Sequence, residues 1–201
     1  MPIRKLFQKK DQAALFWQWF TEVQQDYYEL PESELERLFD QLDKRLGKVN
    51  KQLVFEFSAE PVDGKREFVI SADGLEEAFP AVIELADKAP QLDGFRVTAF
   101  RQPSDEEYEV ALGGITVSSE DVYFDYLYDP ESGLVDVRLF IKNFDPENEA
   151  YDDAAFIMLD SVLGEYDAVT KLAAVELRKL HETEGLYPIR ELRRKVTQSS
   201  K

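Results

Sequence analysis

The sequence predicts an α+β protein: an N-terminal helical hairpin, then two hairpin–helix–strand (ββαβ) pseudo-repeats that build a mostly antiparallel sheet. Three observations lead there. An order of hairpin, helix and strand spans residues 52–101 and recurs over 121–178, without sequence identity between the two stretches. Helical and strand periods alternate along the chain, so neither type dominates. The chain has 201 residues, 44% of them hydrophobic, the size of one domain with a sizeable core, and residues 1–201 are read as a single domain.

Residues 11–28 read as the first helix. Ala13, Phe16, Phe20, Val23 and Tyr27 follow the 3.6-residue period. Trp19 widens that stripe on one side and Trp17 lies round the other, which makes the helix apolar over more than half its circumference. Leu30-Pro31 breaks it. Ser33-Glu34-Leu35-Glu36 has the form of a capping box and opens a second helix with Leu35, Leu38, Phe39, Leu42, Leu46 and Val49 on one face. Together they form the helical hairpin, residues 11–49.

In the first unit, Leu53, Phe55 and Phe57 alternate with Val54 and Glu56 as a strand. Asp63-Gly64 is a hairpin turn and residues 67–71 are the return strand. A helix carries Leu75, Ala78, Phe79, Val82, Ile83 and Ala86, with Pro80 tolerable because it falls in the first turns. Residues 95–100 are the third strand. A connection over 102–120 contains a short strand at 108–112 and a turn or bulge at Gly113-Gly114.

The second unit repeats the order. Strands are expected at 122–128 and 134–141, separated by a loop rich in turn formers. Asp145-Pro146 reads as an N-cap with proline at the first helical position. Tyr151, Ala154, Ala155, Met158, Leu159, Val162 and Leu163 follow the helical period, and Gly164 ends that helix. Residues 168–177 close the unit as a strand, and a terminal helix covers 187–197.

Charge narrows the function classes. The formal net charge is −17, which argues against nucleic-acid binding and against docking on anionic lipid, and favours a cationic partner. Residues 102–153 hold 15 acidic and two basic side chains, a local balance of −13. With no cysteine, disulfides, thiol catalysis and thiolate metal sites are excluded. The basic opening, Met1 to Phe7, lacks the apolar stretch of a signal peptide, and no run is long enough to span a membrane. The expectation is a cytoplasmic protein.

No catalytic or cofactor signature stands out, so no catalytic residue and no cofactor is assigned. Asp125, Asp129, Asp152, Asp153 and Glu165 are chemically suited to a hard cation, and Asp125 and Glu165 are the named metal candidates. Asp125 interrupts a strand and Glu165 follows the helix-ending Gly164. The plainer reading makes Asp125 an outward-facing strand residue. His181, the sole histidine, has no Gly-x-Ser-x-Gly elbow and no second histidine of a zinc-protease motif to work with. Trp17 and Trp19 are the named interaction candidates, as anchors for a protein partner or homodimer. Against that, a helix apolar over so wide an arc is normally sandwiched between its neighbours.

Phe16-Trp17-Gln18-Trp19-Phe20, the run Lys65 to Gly74 and the run Leu159 to Tyr166 together resemble a family of uncharacterised bacterial proteins with an aromatic N-terminal helix. The resemblance implies a soluble bacterial protein without assigned activity. It directs attention to Asp73, Gly74, Gly164 and Glu165. The leading expectation is a non-catalytic binding or protein-interaction protein. A divalent-metal-assisted hydrolase using the acidic cluster is the alternative, and an acidic nucleic-acid mimic that binds a basic protein is a third.

Overall fold

The structure, a computed structural model, describes residues 11–199, with side chains through residue 197. The expectation for Met1 to Phe7 falls outside that range. The described residues form two compact units that divide between Phe100 and Arg101. Among the described residues no helix is long and apolar enough to cross a membrane.

The first unit opens with α1 (Gln12–Glu29) and α2 (Leu35–Val49). Asp11 caps α1 by accepting from the Ala14 N–H at 3.0 Å, and Leu30 ends it in the left-handed region at φ 43°. The expected capping box is absent: a 3-10 turn over Glu32–Glu34 leads straight into α2, and Ser33 lies inside that turn rather than at the cap. Strands β1 (Val54–Phe57) and β2 (Arg66–Ser71) pair antiparallel. Their connection closes at Asp63-Gly64, where φ of 53° and 74° matches the mirror-image turn that strand twist favours. Helix α3 (Phe79–Asp87) follows, with Pro80 in its first turn. It leads to β3 (Phe95–Ala99), which lies parallel to β2.

The core of this unit is aromatic. Phe20 is fully buried and sits 5.0 Å from Phe68, 5.3 Å from Phe95 and 5.4 Å from Tyr27, ring centre to ring centre. Leu38, Leu42 and Leu46 of α2 are buried, and the Tyr27 hydroxyl donates to the Leu38 carbonyl at 2.9 Å. Arg66 is 5% exposed and has three carbonyl acceptors: those of Tyr28 at the end of α1, Ser58 and Ala59. It thereby satisfies carbonyls that a helix end and a strand end leave over.

The second unit begins with a small hairpin, β4 (Glu109–Leu112) and β5 (Ile115–Ser118), turning at Gly113-Gly114 with φ of 56° and 81°. Strands β6 (Val122–Tyr128) and β7 (Val135–Ile141) form the next antiparallel pair. Helix α4 (Ala150–Leu163) ends at Gly164, and α5 (Glu165–Lys171) starts at once. Strand β8 (Leu172–Lys179) then lies parallel to β7. The two-residue strand β9 (Tyr187–Pro188) pairs with β6, and α6 (Leu192–Ser199) is the last described element. The core here is mostly aliphatic: Val135, Val137, Leu139 and Ile141 meet Ala154, Met158, Leu163, Ile189 and Leu192, with Phe124 and Tyr151 as its buried rings.

Several expectations change. Among the described residues the strands form three sheets, in the orders β1-β2-β3, β4-β5 and β8-β7-β6-β9, rather than one. The two larger sheets are mixed, because a helical crossover returns the third strand parallel to the second. Asp145-Pro146 lies in a loop where Asp145 accepts from the Glu147 N–H at 3.1 Å, and α4 begins later, at Ala150. Residues 168–171 are helical rather than extended. Tyr187-Pro188 is a short edge strand rather than a helix start.

Candidate functional site

Three places in the second unit bring acids together with partners or a cleft. The first is the junction between α4 and α5. Gly164 there has φ 79° and ψ 149°, a backbone state open essentially to glycine alone. A Cβ at that position would stand 2.9 Å from Pro103 Cδ and 3.1 Å from the Arg101 carbonyl oxygen. So the segment at 101–103 packs directly on the bend. The Glu165 N–H donates to the Arg101 carbonyl at 3.1 Å, and the Glu165 carboxylate accepts from the Arg101 N–H at 3.3 Å. The Arg101 guanidinium reaches Asp160 at 3.3 Å. Glu165 is fully buried and Asp160 is 6% exposed. These two interior carboxylates are therefore tied to one short segment. Burying them without such partners would be severely unfavourable.

The second place is an open cleft of about 210 Å³. Asp105, Glu106, Glu107 and Glu120 stand on it with Tyr108, Tyr123 and Arg190. Local hydrogen bonds set this rim. The Ser104 N–H donates to the Ser161 carbonyl at 2.7 Å, and its hydroxyl accepts from the Glu106 N–H at 3.2 Å. The Tyr108 N–H donates to the Ser119 hydroxyl at 3.2 Å, and its own hydroxyl donates to the Met158 carbonyl at 3.0 Å. Burial pushes the Tyr108 hydroxyl up to about 12. The four acids of the cleft are exposed, as is Arg190. The arrangement presents negative charge beside two aromatic rings, chemistry suited to ammonium and guanidinium groups.

The third place is the outer face of the sheet β8-β7-β6-β9. Asp125 lies opposite Arg138, which donates to both its oxygens at 2.7 and 2.5 Å. That pairing holds the Arg138 guanidinium above its usual range, chiefly through the hydrogen bond to Asp125. Glu176 of β8 is the next residue across.

Asp125 and Glu165 thus have separate partners, an arginine side chain for one and the backbone of Arg101 for the other. Among the described residues no group of three or more acidic, histidine or cysteine side chains is arranged to hold a metal. Asp152 and Asp153 decorate the first turn of α4, and Asp129 turns its loop by accepting from Ser132 at 2.7 Å. That hydrogen bond is also the first cause of a lowered Asp129 pKa. His181 is exposed. Asp73 and Gly74 have φ of 48° and 75°, which places them in a tight turn after β2.

Trp17 and Trp19 both lie inside the first unit, 3% and 8% exposed. The Trp17 indole donates to the Leu85 carbonyl of α3 at 2.7 Å. Trp19 faces the other way, with the Arg45 guanidinium of α2 4.8 Å from its ring centre.

Arg101, Asp160 and the rim acids Asp105, Glu106 and Glu107 escaped sequence reasoning as individual residues. Asp160 had a readable signal: it stands one helical turn before the bend at Gly164, on a helix otherwise apolar over much of its surface. Nothing local distinguishes Arg101. No protein-family model, no curated protein and no solved structure matches the chain.

Proposed function

We propose that this is a non-catalytic, cytoplasmic binding protein that engages a positively charged protein partner through the cleft of its second unit. One observation carries the reading: the division among its carboxylates. Asp160, Glu165 and Asp125 are engaged by arginine or backbone, whereas Asp105, Glu106, Glu107 and Glu120 stand exposed around one cleft. Such a rim steers cationic partners. Tyr108 and Tyr123 add apolar area for the stems of lysine or arginine. A protein that otherwise grips phosphates would be one such partner. A metal-assisted hydrolase would need Asp125 to leave Arg138 and Glu165 to leave its buried seat.

The pseudo-repeat belongs to the same proposal. Its support is that β1-β2-β3 and β6-β7-β8 share the same order of antiparallel and parallel neighbours. Kinship with bacterial proteins carrying an aromatic N-terminal helix rests on Phe16 to Phe20 and the other two segments that resemble them.

Calorimetric titration with a lysine-rich peptide tests the function, at low and at moderate salt. The reading expects saturable binding that weakens steeply as salt screens the rim. Absence of binding at low salt overturns it.

A further inference from the structure

Among the described residues β8 is the longest strand, eight residues, and it stands at the edge of its sheet. The other edges are short: β9 has two residues including Pro188, β1 has four and β3 has five. Short strands and proline are the usual protections of a free edge. β8 has no proline, and six of its eight residues are exposed. Among the described residues its only strand neighbour is β7.

The direction of its main chain follows from one bond and the register. The Leu180 N–H donates to the Ile141 carbonyl at 2.9 Å, and Lys179 lies opposite Ile141. In a parallel ladder alternate residues bond to the neighbour, so Glu176, Arg178 and Leu180 face β7. The N–H and C=O groups of Val175, Leu177 and Lys179 point away from the sheet. Val175 is 42% exposed although it lies opposite Val137, which is 1% exposed.

The geometry points to a second copy of this chain as the occupant of that edge, its β8 running antiparallel to the first about a twofold axis at Leu177. Charge selects both the partner and the register. On a chain of net charge −17, residues 168–180 carry Lys171, Arg178 and Lys179 against Glu176, a local balance of +2. Two copies therefore meet here with far less repulsion than the acidic stretch would impose. With Leu177 opposite Leu177, each Glu176 stands opposite Arg178 of the second copy, and Val175 stands opposite the aliphatic stem of Lys179. Both Glu176–Arg178 pairs lie on one sheet face, in the close, non-hydrogen-bonded positions. A register centred on Val175 instead sets Glu176 against Ala174 and loses both ion pairs. The centred pair exchanges main-chain bonds across the axis, and the two four-stranded sheets become one. This surface is distinct from the buried indoles of α1.

Light scattering and sedimentation of the full chain, with circular dichroism to confirm folding, test the inference. The wild-type chain is expected at twice its chain mass at tens of micromolar. Glu176→Arg and Arg178→Glu each set like charges opposite one another, and each should weaken dimerisation by about tenfold or more. The double exchange should restore it. Val175→Pro removes an N–H that points away from β7 and bonds no strand among the described residues, so it should give a folded monomer. A wild-type monomer at these concentrations overturns the proposal. A dimer indifferent to Glu176→Arg and Val175→Pro places the contact elsewhere and also overturns it. Single variants that dissociate without rescue by the double exchange overturn the register.

Discussion

The two units solve one topological problem with different chemistry. In each, a hairpin is followed by helix and then by a strand parallel to the hairpin's second strand. The first unit fills its interior with rings: Phe16, Trp17, Phe20, Tyr27, Phe68 and Phe95 touch in a continuous cluster. Its buried charge, Arg66, is matched by carbonyls. The second unit has a mostly aliphatic interior, with Phe124 and Tyr151 as its buried rings, and buries two carboxylates beside a bend that only glycine can make. A shared strand order therefore does not require a shared core. It also leaves the second unit with acids of two kinds, those that hold the chain together and those that face outward.

If rings hold the first unit, Phe20→Ala should have the largest effect. The side chain is fully buried among Phe68, Phe95 and Tyr27, and its loss should cost about 3–5 kcal/mol. Urea unfolding measures it. A loss under about 1 kcal/mol would mean that the cluster repacks freely.

The corresponding stress on the second unit is Gly164→Ala. The backbone state alone should cost about 1–3 kcal/mol. The added methyl must also displace Pro103 or the Arg101 carbonyl. A stability equal to wild type would show that the bend is not confined by that segment.

A pH titration compares the units directly, because in each a phenol that donates to a carbonyl is pushed up by burial. Burial pushes Tyr27 and Tyr108 up to about 12 from the ordinary 10.0. A phenol raised in the folded state stabilises fully below its ordinary value, and that share is lost as pH climbs from about 10 to about 12. Absorbance titration of the nine tyrosines should therefore show two late ionisations accompanied by unfolding. Tyr27→Phe and Tyr108→Phe should each remove one. Ionisation of all nine near 10 in a folded chain would contradict the burial of both.

The smallest effect belongs to Arg138→Ala. Its side chain is 56% exposed and its partner Asp125 27%. Such a pair contributes about 0–1 kcal/mol. A larger loss would give the outer sheet face a structural weight comparable to the junction at Gly164.

Legibility in the sequence follows the same division. Phe16, Phe20 and Tyr27 announce themselves by helical period, as do Val135, Val137 and Leu139 by alternation, because repeated burial leaves a repeated pattern. Asp63-Gly64 and Gly164 are readable because few residues adopt positive φ. Arg101, Asp160 and Glu165 are not readable as a group, since 64 residues separate Arg101 from Glu165 and only the fold brings them together. The helical reach of 165–171 is hidden for another reason: Ala168 and Val169 suit helix or strand, and the bend at Gly164 decides between them. Trp17 and Trp19 are plain as anchors, but sequence spacing does not show that α3 and α2 cover them from opposite sides.

The proposed binding surface is formed by the outward acids of the second unit. Two variants of equal net charge test it against the lysine-rich peptide. One neutralises the cleft by Asp105→Asn, Glu106→Gln and Glu107→Gln. The other neutralises exposed acids of the first unit by Glu32→Gln, Glu36→Gln and Asp43→Asn. The account predicts that affinity falls about tenfold in the first variant, equivalent to about 1.4 kcal/mol, and stays near wild type in the second. Equal losses in both would show that the peptide responds only to total charge, and would contradict a defined binding cleft.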